Sequence, residues 1–320
     1  MMIVYEIKRI NKIFYIYHSS FIVTYYFIKN NMLLHTIIIF LIVLTVYLHI
    51  NYQLKKSNEL EIYNIDFTSK EQLEEISKLR QPFVFDYDLM EIDRNYLLKN
   101  YSKQNLQLKN RISNDSVTLK IEEAISMIDK NDIYFSEKNH DLLNEYFLEK
   151  LEKRERNIKP IFTGTSIYDL IMGSNKTYTP MRYEINHKNY FLVTEGRVKI
   201  RFAPPNSEKY LDPIIDYENL DITSQINITK IEKAKFIDII VEKGKMVFIP
   251  PYWWYSFEFI DNGTIISFKY RTYMNIITII PYLFIQNLQL QNVKYILPKY
   301  KTVKKKKGKK VKKVKKVTEN

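Results

Sequence analysis

The pattern of apolar and polar positions divides the chain into three stretches. Residues 32–50, MLLHTIIIFLIVLTVYLHI, form a run of 19 without a charge. As a helix the run would span roughly 28 Å, the hydrocarbon thickness of a bilayer. Only His35, Thr36, Thr45 and His49 interrupt it, with no polar stripe of the kind a buried soluble helix carries. The pattern predicts a transmembrane helix at 32–50. A cleaved signal peptide fits less well, because the run is long and Asn51, Tyr52 and Gln53 follow it instead of a small-x-small site. A second uncharged stretch, 13–28, lies between Lys12 and Lys29. Two readings fit residues 1–31: the first arm of a helical hairpin turning at Lys29-Asn30-Asn31, or an extension upstream of a true start at Met32. Lys12 and Lys29 balance Lys55 and Lys56 across the main span, so the positive-inside rule assigns no sidedness.

Residues 51–69 read as a polar linker, and a soluble domain is expected over 70–298. Ser69 is placed to cap a short helix over 70–79, and 82–85 reads as a strand. Residues 116–128 and 139–151 have helical periodicity, with Leu142, Leu143, Tyr146, Phe147 and Leu151 on one face. After Lys159 the period shortens. Strands are expected at 160–162, 181–185, 190–194, 198–203, 237–241, 246–249, 254–260 and 265–270, with Gly196, Gly244 and Gly263 at turns. Eight short strands with flanking helices predict a mostly β, α+β fold, a sandwich or small barrel. Residues 273–291 read as an apolar helix broken at Pro281 that covers the core.

Composition narrows the chemistry. The chain is 46% hydrophobic and 14% aromatic, enough for a sizeable core, and it has no cysteine. Disulfides, thiolate metal sites and cysteine nucleophiles are thereby excluded. The net charge of +13 is local: residues 299–320 hold twelve lysines against one acid, Glu319. That segment reads as a disordered tail, and the rest of the chain is close to neutral. Its 299–317 lysines suit anionic lipid or, through phosphate contacts, nucleic acid. No aromatics beyond Tyr300 are interleaved to stack on bases. Asn-x-Ser/Thr sequons start at Asn114, Asn175, Asn227 and Asn262, which would permit a lumenal domain.

One constellation carries a family resemblance. The segment Glu242-Lys243-Gly244-Lys245-Met246-Val247-Phe248-Ile249-Pro250-Pro251-Tyr252-Trp253-Trp254 resembles the "G-D-x-x-x-I-P-x-x-W-W-H" element of JmjC/cupin-like proteins. The nearest type is the asparaginyl-hydroxylase branch of the Fe(II)/2-oxoglutarate oxygenases. Thr179-Pro180-Met181-Arg182-Tyr183-Glu184, followed by Asn189-Tyr190-Phe191, Gly196 and Pro204-Pro205, is similar to the family's "T-P-x-H-x-D … N-x-x … G … P-P" block. Ser267-Phe268-Lys269-Tyr270 resembles its last strand, and Leu79-Arg80-Gln81-Pro82-Phe83-Val84 a segment near its N-terminus. The resemblance covers roughly residues 70–290. It implies a double-stranded β-helix of jelly-roll type and a facial triad of two His and one carboxylate that holds Fe(II).

This sequence departs from the pattern at each ligand. Arg182 and Glu184 stand in the H-x-D positions, and Tyr255 in the place of the second His. Val198 occupies the place of the 2-oxoglutarate lysine, and its neighbour Lys199 should face the other side. Of five histidines, only His140 and His187 lie outside the N-terminal segments. A guanidinium stays protonated and cannot ligate a cation. Arg182 is therefore expected to pair with Glu184 in place of the metal, or else to read a bound anion together with Lys199 or Tyr255. A candidate pocket gathers Thr179, Tyr190, Val198, Lys199, Trp253 and Trp254; the two tryptophans fit packing better than ligand stacking, one in the core and the other at the barrel mouth.

The reading that follows is a single-pass membrane protein, or a hairpin, whose cupin-like domain binds or scaffolds without catalysis and takes no cofactor. The alternative is an active hydroxylase using Fe(II) and 2-oxoglutarate with a non-standard ligand set around Glu184. A third reading is a tether joining a membrane to nucleic acid or anionic lipid through the tail.

Overall fold

Strand alternation after Lys159 builds two faces at once. In Arg197–Ala203, Val198, Ile200 and Phe202 are fully buried while Arg197, Lys199 and Arg201 lie on the outer side. In Gly263–Thr272, Ile265 faces one core while Ile266, Phe268 and Tyr270 face another. The computed structural model describes residues 32–66, 69–88, 90–113, 115–226 and 234–296. The 13–28 stretch, the lysine tail and the sequon asparagines Asn114 and Asn227 lie outside the described residues.

Two sheets result. The larger runs in the order Tyr63–Asn64, Phe83–Asp86, Lys245–Ile249, Lys188–Glu195, Gly263–Thr272, Thr163–Gly173, Tyr134–Ser136, Asn105–Asn110, Ser116–Lys120. The smaller runs Pro213–Asp216, Asp221–Ser224, Arg182–Tyr183, Trp254–Phe259, Arg197–Ala203, Ile237–Glu242. They pack face to face: Phe191, Val193, Val247 and Ile265 of the first share a buried cluster with Val198, Ile200, Phe202 and Phe257 of the second. The far side of the larger sheet buries Tyr190, Leu192, Phe248 and Phe268 under helical residues Leu97, Ile125 and Leu143 and the inter-helix Phe147. Each such side chain contributes roughly 1.5–3 kcal/mol on burial, so the two apolar layers hold the sheets and helices together. A third cluster, with Met181, Tyr183, Ile222 and Trp254, is capped by Ile279 of the C-terminal helices.

Several elements differ from the sequence expectation. Residues 116–120 form a strand, and the helix is Ile121–Lys130. Val117 and Leu119 alternate, and the segment pairs with Asn105–Asn110, a strand that the expectation lacked. The helix expected over 139–151 divides at Phe147 into His140–Tyr146 and Leu148–Arg154. The strand placed at 160–162 starts later and runs much longer, Thr163–Gly173. Pro213–Asp216 and Asp221–Ser224 form a further hairpin. Ser69 does cap its helix, accepting from Gln72 N at 3.2 Å. Gly196 turns between two strands at φ +71°, where a Cβ would lie 2.3 Å from the Asn262 carbonyl oxygen.

At the N-terminal side, Met32–Tyr52 is one helix, long and apolar enough to cross a membrane and almost wholly exposed. The segment that follows it, read above as a polar linker, makes several contacts with the domain. Arg80 Nη2 donates to the Asn51 carbonyl at 3.3 Å, and Gln81 Nε2 donates to Glu59 Oε2 at 2.8 Å. Lys56 sits 4.0 Å over the Tyr252 ring, and Tyr63–Asn64 pairs in parallel with Phe83–Asp86. The Tyr52 ring contacts His187 at 5.2 Å between centroids.

His187 is half-buried there, and its Nδ1 is shielded from solvent without a hydrogen-bond partner. Burial, then the nearby Arg80 and Lys188 charges, push its pKa down from 6.5 to about 3. A base whose folded pKa is depressed binds its proton first in the unfolded chain. Stability therefore falls with pH between the two values, by roughly 1.4 kcal/mol per unit. We expect the native chain to lose about 2–3 kcal/mol of stability relative to His187→Gln as pH falls from 7.5 to 4.5. Urea unfolding at both pH values measures it, and parallel pH profiles would contradict the assignment.

Candidate functional site

The short strand Arg182–Tyr183 lies beside Trp254–Phe259, with Arg182 opposite Tyr255. Glu184 follows two residues after Arg182, so the three positions that the family pattern reserves for a metal come together here. Their contacts are specific. Glu184 Oε1 accepts from Lys269 Nζ at 2.6 Å and from the Tyr255 hydroxyl at 3.0 Å. Its Oε2 accepts from Asn186 Nδ2 at 3.1 Å. Arg182 does not pair with Glu184, contrary to expectation. Its Nη1 lies 2.8 Å from Glu137 Oε2, and Glu137 Oε1 accepts from Lys109 at 3.1 Å. Arg182 Nη2 is buried without a hydrogen-bond partner. The reason is topological: Glu137 follows the strand Tyr134–Ser136, which sequence periodicity did not reveal, and it arrives already buried.

Arg182, Glu184, Asn186 and Lys269 line a cavity of about 630 Å³. Lys138, Arg182, Lys269 and Arg271 face it, as do Asp169, Glu184, Glu218 and Asp221, together with His140. Cations and carboxylates are equal in number, so the formal charges of the lining balance. Lys138 also pairs with Asp221, and Arg271 Nε donates to Asn186 Oδ1 at 2.6 Å. Asp169 accepts from the backbone N–H groups of Lys138 and Asn139 at 3.0 and 2.7 Å.

The electrostatics follow this pairing. Burial alone would lower the Lys269 pKa, but the Glu184 and Asp169 carboxylates outweigh it and hold the ammonium above its ordinary value. Arg182 is likewise raised, burial being outweighed by Glu137 and Asp221. Burial opposes ionisation of Glu137 and Asp221, yet Arg182, with Lys109 and Lys138 respectively, keeps both below the usual carboxylate range. Asp169 is pushed up by burial. The Tyr255 phenol is raised well above its ordinary value by burial and then by Glu184, so it stays protonated and donates.

The other residues expected in the pocket are dispersed. Thr179 pins neighbouring strands, its hydroxyl accepting from Phe257 N at 3.0 Å. Tyr190 lies on the opposite face of the larger sheet, edge-on to Phe85 and tilted against Phe248. Val198 fills the core between the sheets, and Lys199 points outward to Asp238 and Glu258. Both tryptophans are fully buried in different clusters. Trp253 Nε1 donates to the Arg80 carbonyl at 2.9 Å, and Trp254 meets Tyr183 edge-on at 4.8 Å. Trp254 therefore sits in a core and not at a mouth. Lys269 and Arg271 were absent from the expected site. Their signal was present as two charges at i and i+2, on the face that Ile265 gives to the inter-sheet core.

Comparison with known proteins agrees with this architecture. HSPB1-associated protein 1 of Bos taurus is 28% identical over 105 residues, 30% of this chain and 22% of that protein. Lysine-specific demethylase JMJ30 of Arabidopsis thaliana is 30% identical over 106 residues, 30% of this chain and 24% of that protein. The chain thus matches less than a quarter of the length of these curated relatives. The profile of the family described as Cupin-like domain matches residues 68–274, which takes in the whole smaller sheet, all of the larger sheet but its edge strand Tyr63–Asn64, and every charged residue lining the cavity. With more than half of its length inside that match, the chain belongs to the JmjC/cupin-like domain family.

Proposed function

We propose that this protein is a membrane-anchored member of the family in which a neutral ion-pair network has replaced the Fe(II) site, leaving a binding or scaffolding domain without oxygenase activity. The observation that carries this is Lys269 on Glu184. The ammonium supplies, from within the chain, the positive charge that a metal ion supplies in the family. The remaining donors do not fit Fe(II). Arg182 cannot ligate, Tyr255 is a protonated phenol, and both Glu184 oxygens are engaged. Among the described residues, no group of three His, Cys, Asp or Glu is arranged to hold a metal ion. A neutral cavity also offers no excess positive charge to the doubly negative 2-oxoglutarate, and Val198 and Lys199 are both turned away from it.

The double-stranded β-helix reading is supported by the two facing sheets, and the anchoring by the exposed apolar helix Met32–Tyr52. The demethylase activity named for the Arabidopsis relative is not carried over, since it would run through the missing ligands. The test is turnover. With Fe(II), ascorbate and 2-oxoglutarate supplied to the full chain, we expect no succinate above a protein-free control. Succinate formation that Glu184→Ala abolishes would establish the hydroxylase alternative instead.

A further inference from the structure

After the last strand the chain turns into Tyr273–Thr278 and Ile280–Ile296, two helical segments in near continuity. Their inner face is accounted for. Asn275 and Ile279 are buried, and Tyr282 and Leu283 pack on the Met181–Trp254 cluster. Gln286 donates to the Glu218 carbonyl at 2.9 Å. The outer face is apolar too. Tyr273, Ile277, Ile280, Phe284 and Leu288, at intervals of three to four residues, form one exposed stripe, and Phe284 is 63% exposed. Ile161 and Phe162, exposed at 66% and 76%, extend it, since Tyr273 N donates to the Phe162 carbonyl at 3.1 Å. A contiguous exposed apolar surface of this kind marks a contact site.

Two observations say what covers it. The stripe begins where the membrane helix ends, because Tyr273–Thr278 packs against the Ile50–Leu54 turn. The chain beyond the stripe is the lysine-rich segment starting at Lys299. An apolar helical face next to a bilayer-crossing helix, leading into a dense positive charge, fits a lipid interface.

We propose that the 273–288 stripe with Phe162 lies in the interfacial zone of the leaflet from which the Met32–Tyr52 helix emerges, so that the cupin-like domain sits on the bilayer and is not suspended above it. The proposal rests on the anchoring reading above. It gives the domain a fixed attitude to the membrane, with Ile240, in the edge strand Ile237–Glu242, at the opposite edge of the smaller sheet from the hairpin that Gln286 of the C-terminal helix touches at Glu218.

The absence of cysteine allows a direct test. Single variants Ile42→Cys, Phe284→Cys and Ile240→Cys of the full chain each carry an environment-sensitive fluorophore. All three positions are exposed, so the labels leave the core intact. The chains are reconstituted in phosphatidylcholine vesicles, with spin-labelled lipids as quenchers. We expect blue-shifted, quenched emission at positions 42 and 284 and unquenched emission at 240. Quenching at 42 alone overturns the proposal and leaves the anchoring standing. Quenching at none removes both, and quenching at all three overturns it as non-specific adsorption. Quenching at 284 that appears only when phosphatidylserine is added also overturns it, because the tail and not the stripe would then hold the surface.

Discussion

Replacing Lys269 by Met lowers the unfolding free energy by about 3–5 kcal/mol, the usual cost of leaving one partner of a buried ion pair uncompensated. Lys269 and Glu184 are 14% and 10% exposed, so solvent screens the pair little. The side chain of Met is close in length, so the loss reports charge more than volume. Tyr255 and Asn186 would still donate to Glu184. Neither carries a positive charge to offset the ionised carboxylate. The double variant Lys269→Met with Glu184→Gln removes the stranded charge and should recover most of the loss, because isosteric apolar or neutral replacements of buried pairs are often close to neutral. Urea unfolding of the four chains closes the cycle. A small loss in the single variant, or no recovery in the double, would mean that Lys269 is not the built-in counter-charge of this site.

Arg182→Met is the second large effect, about 3 kcal/mol by the same reasoning. It strands Glu137, whose other partner, Lys109, lies at 3.1 Å, and it withdraws a positive neighbour from Asp221. The pH dependence identifies the cause. Glu137 and Asp221 have depressed folded pKa values, so the Arg182 contribution is present above the unfolded carboxylate range. It fades as pH falls through the depressed values. The native and variant chains should therefore differ fully at pH 7 and converge in acid. A difference that persists undiminished in acid would assign Arg182 a packing role.

Much of this arrangement was legible in the chain, for identifiable reasons. The Ile-Pro-Pro-x-Trp-Trp segment and the alternation from 181 to 203 located the paired sheets, because strand period and burial reinforce each other there. The convergence of Arg182, Glu184 and Tyr255 followed from i, i+2 geometry combined with the family order. The charge partners did not. Glu137 and Asp169 come from a loop and a strand whose local pattern is weak, and pairing between distant strands leaves no periodic trace. Residues 116–120 misled because Val117, which suits a strand beside Leu119, also continues the helical period of 121–128. Tyr190, Trp253 and Trp254 drew attention by size and turned out to be core, as large aromatics usually are.

The central claim is that this cavity has exchanged a metal for its own cations. The most direct measurement is calorimetric titration of the full chain in detergent with Mn(II), an oxygen-stable substitute for Fe(II), with and without 2-oxoglutarate, read alongside the thermal midpoint. A ligand that binds the native state must raise that midpoint. We expect no saturable heat and an unchanged midpoint in both titrations. Saturable Mn(II) binding that Glu184→Ala abolishes would contradict it and restore a metal to the site.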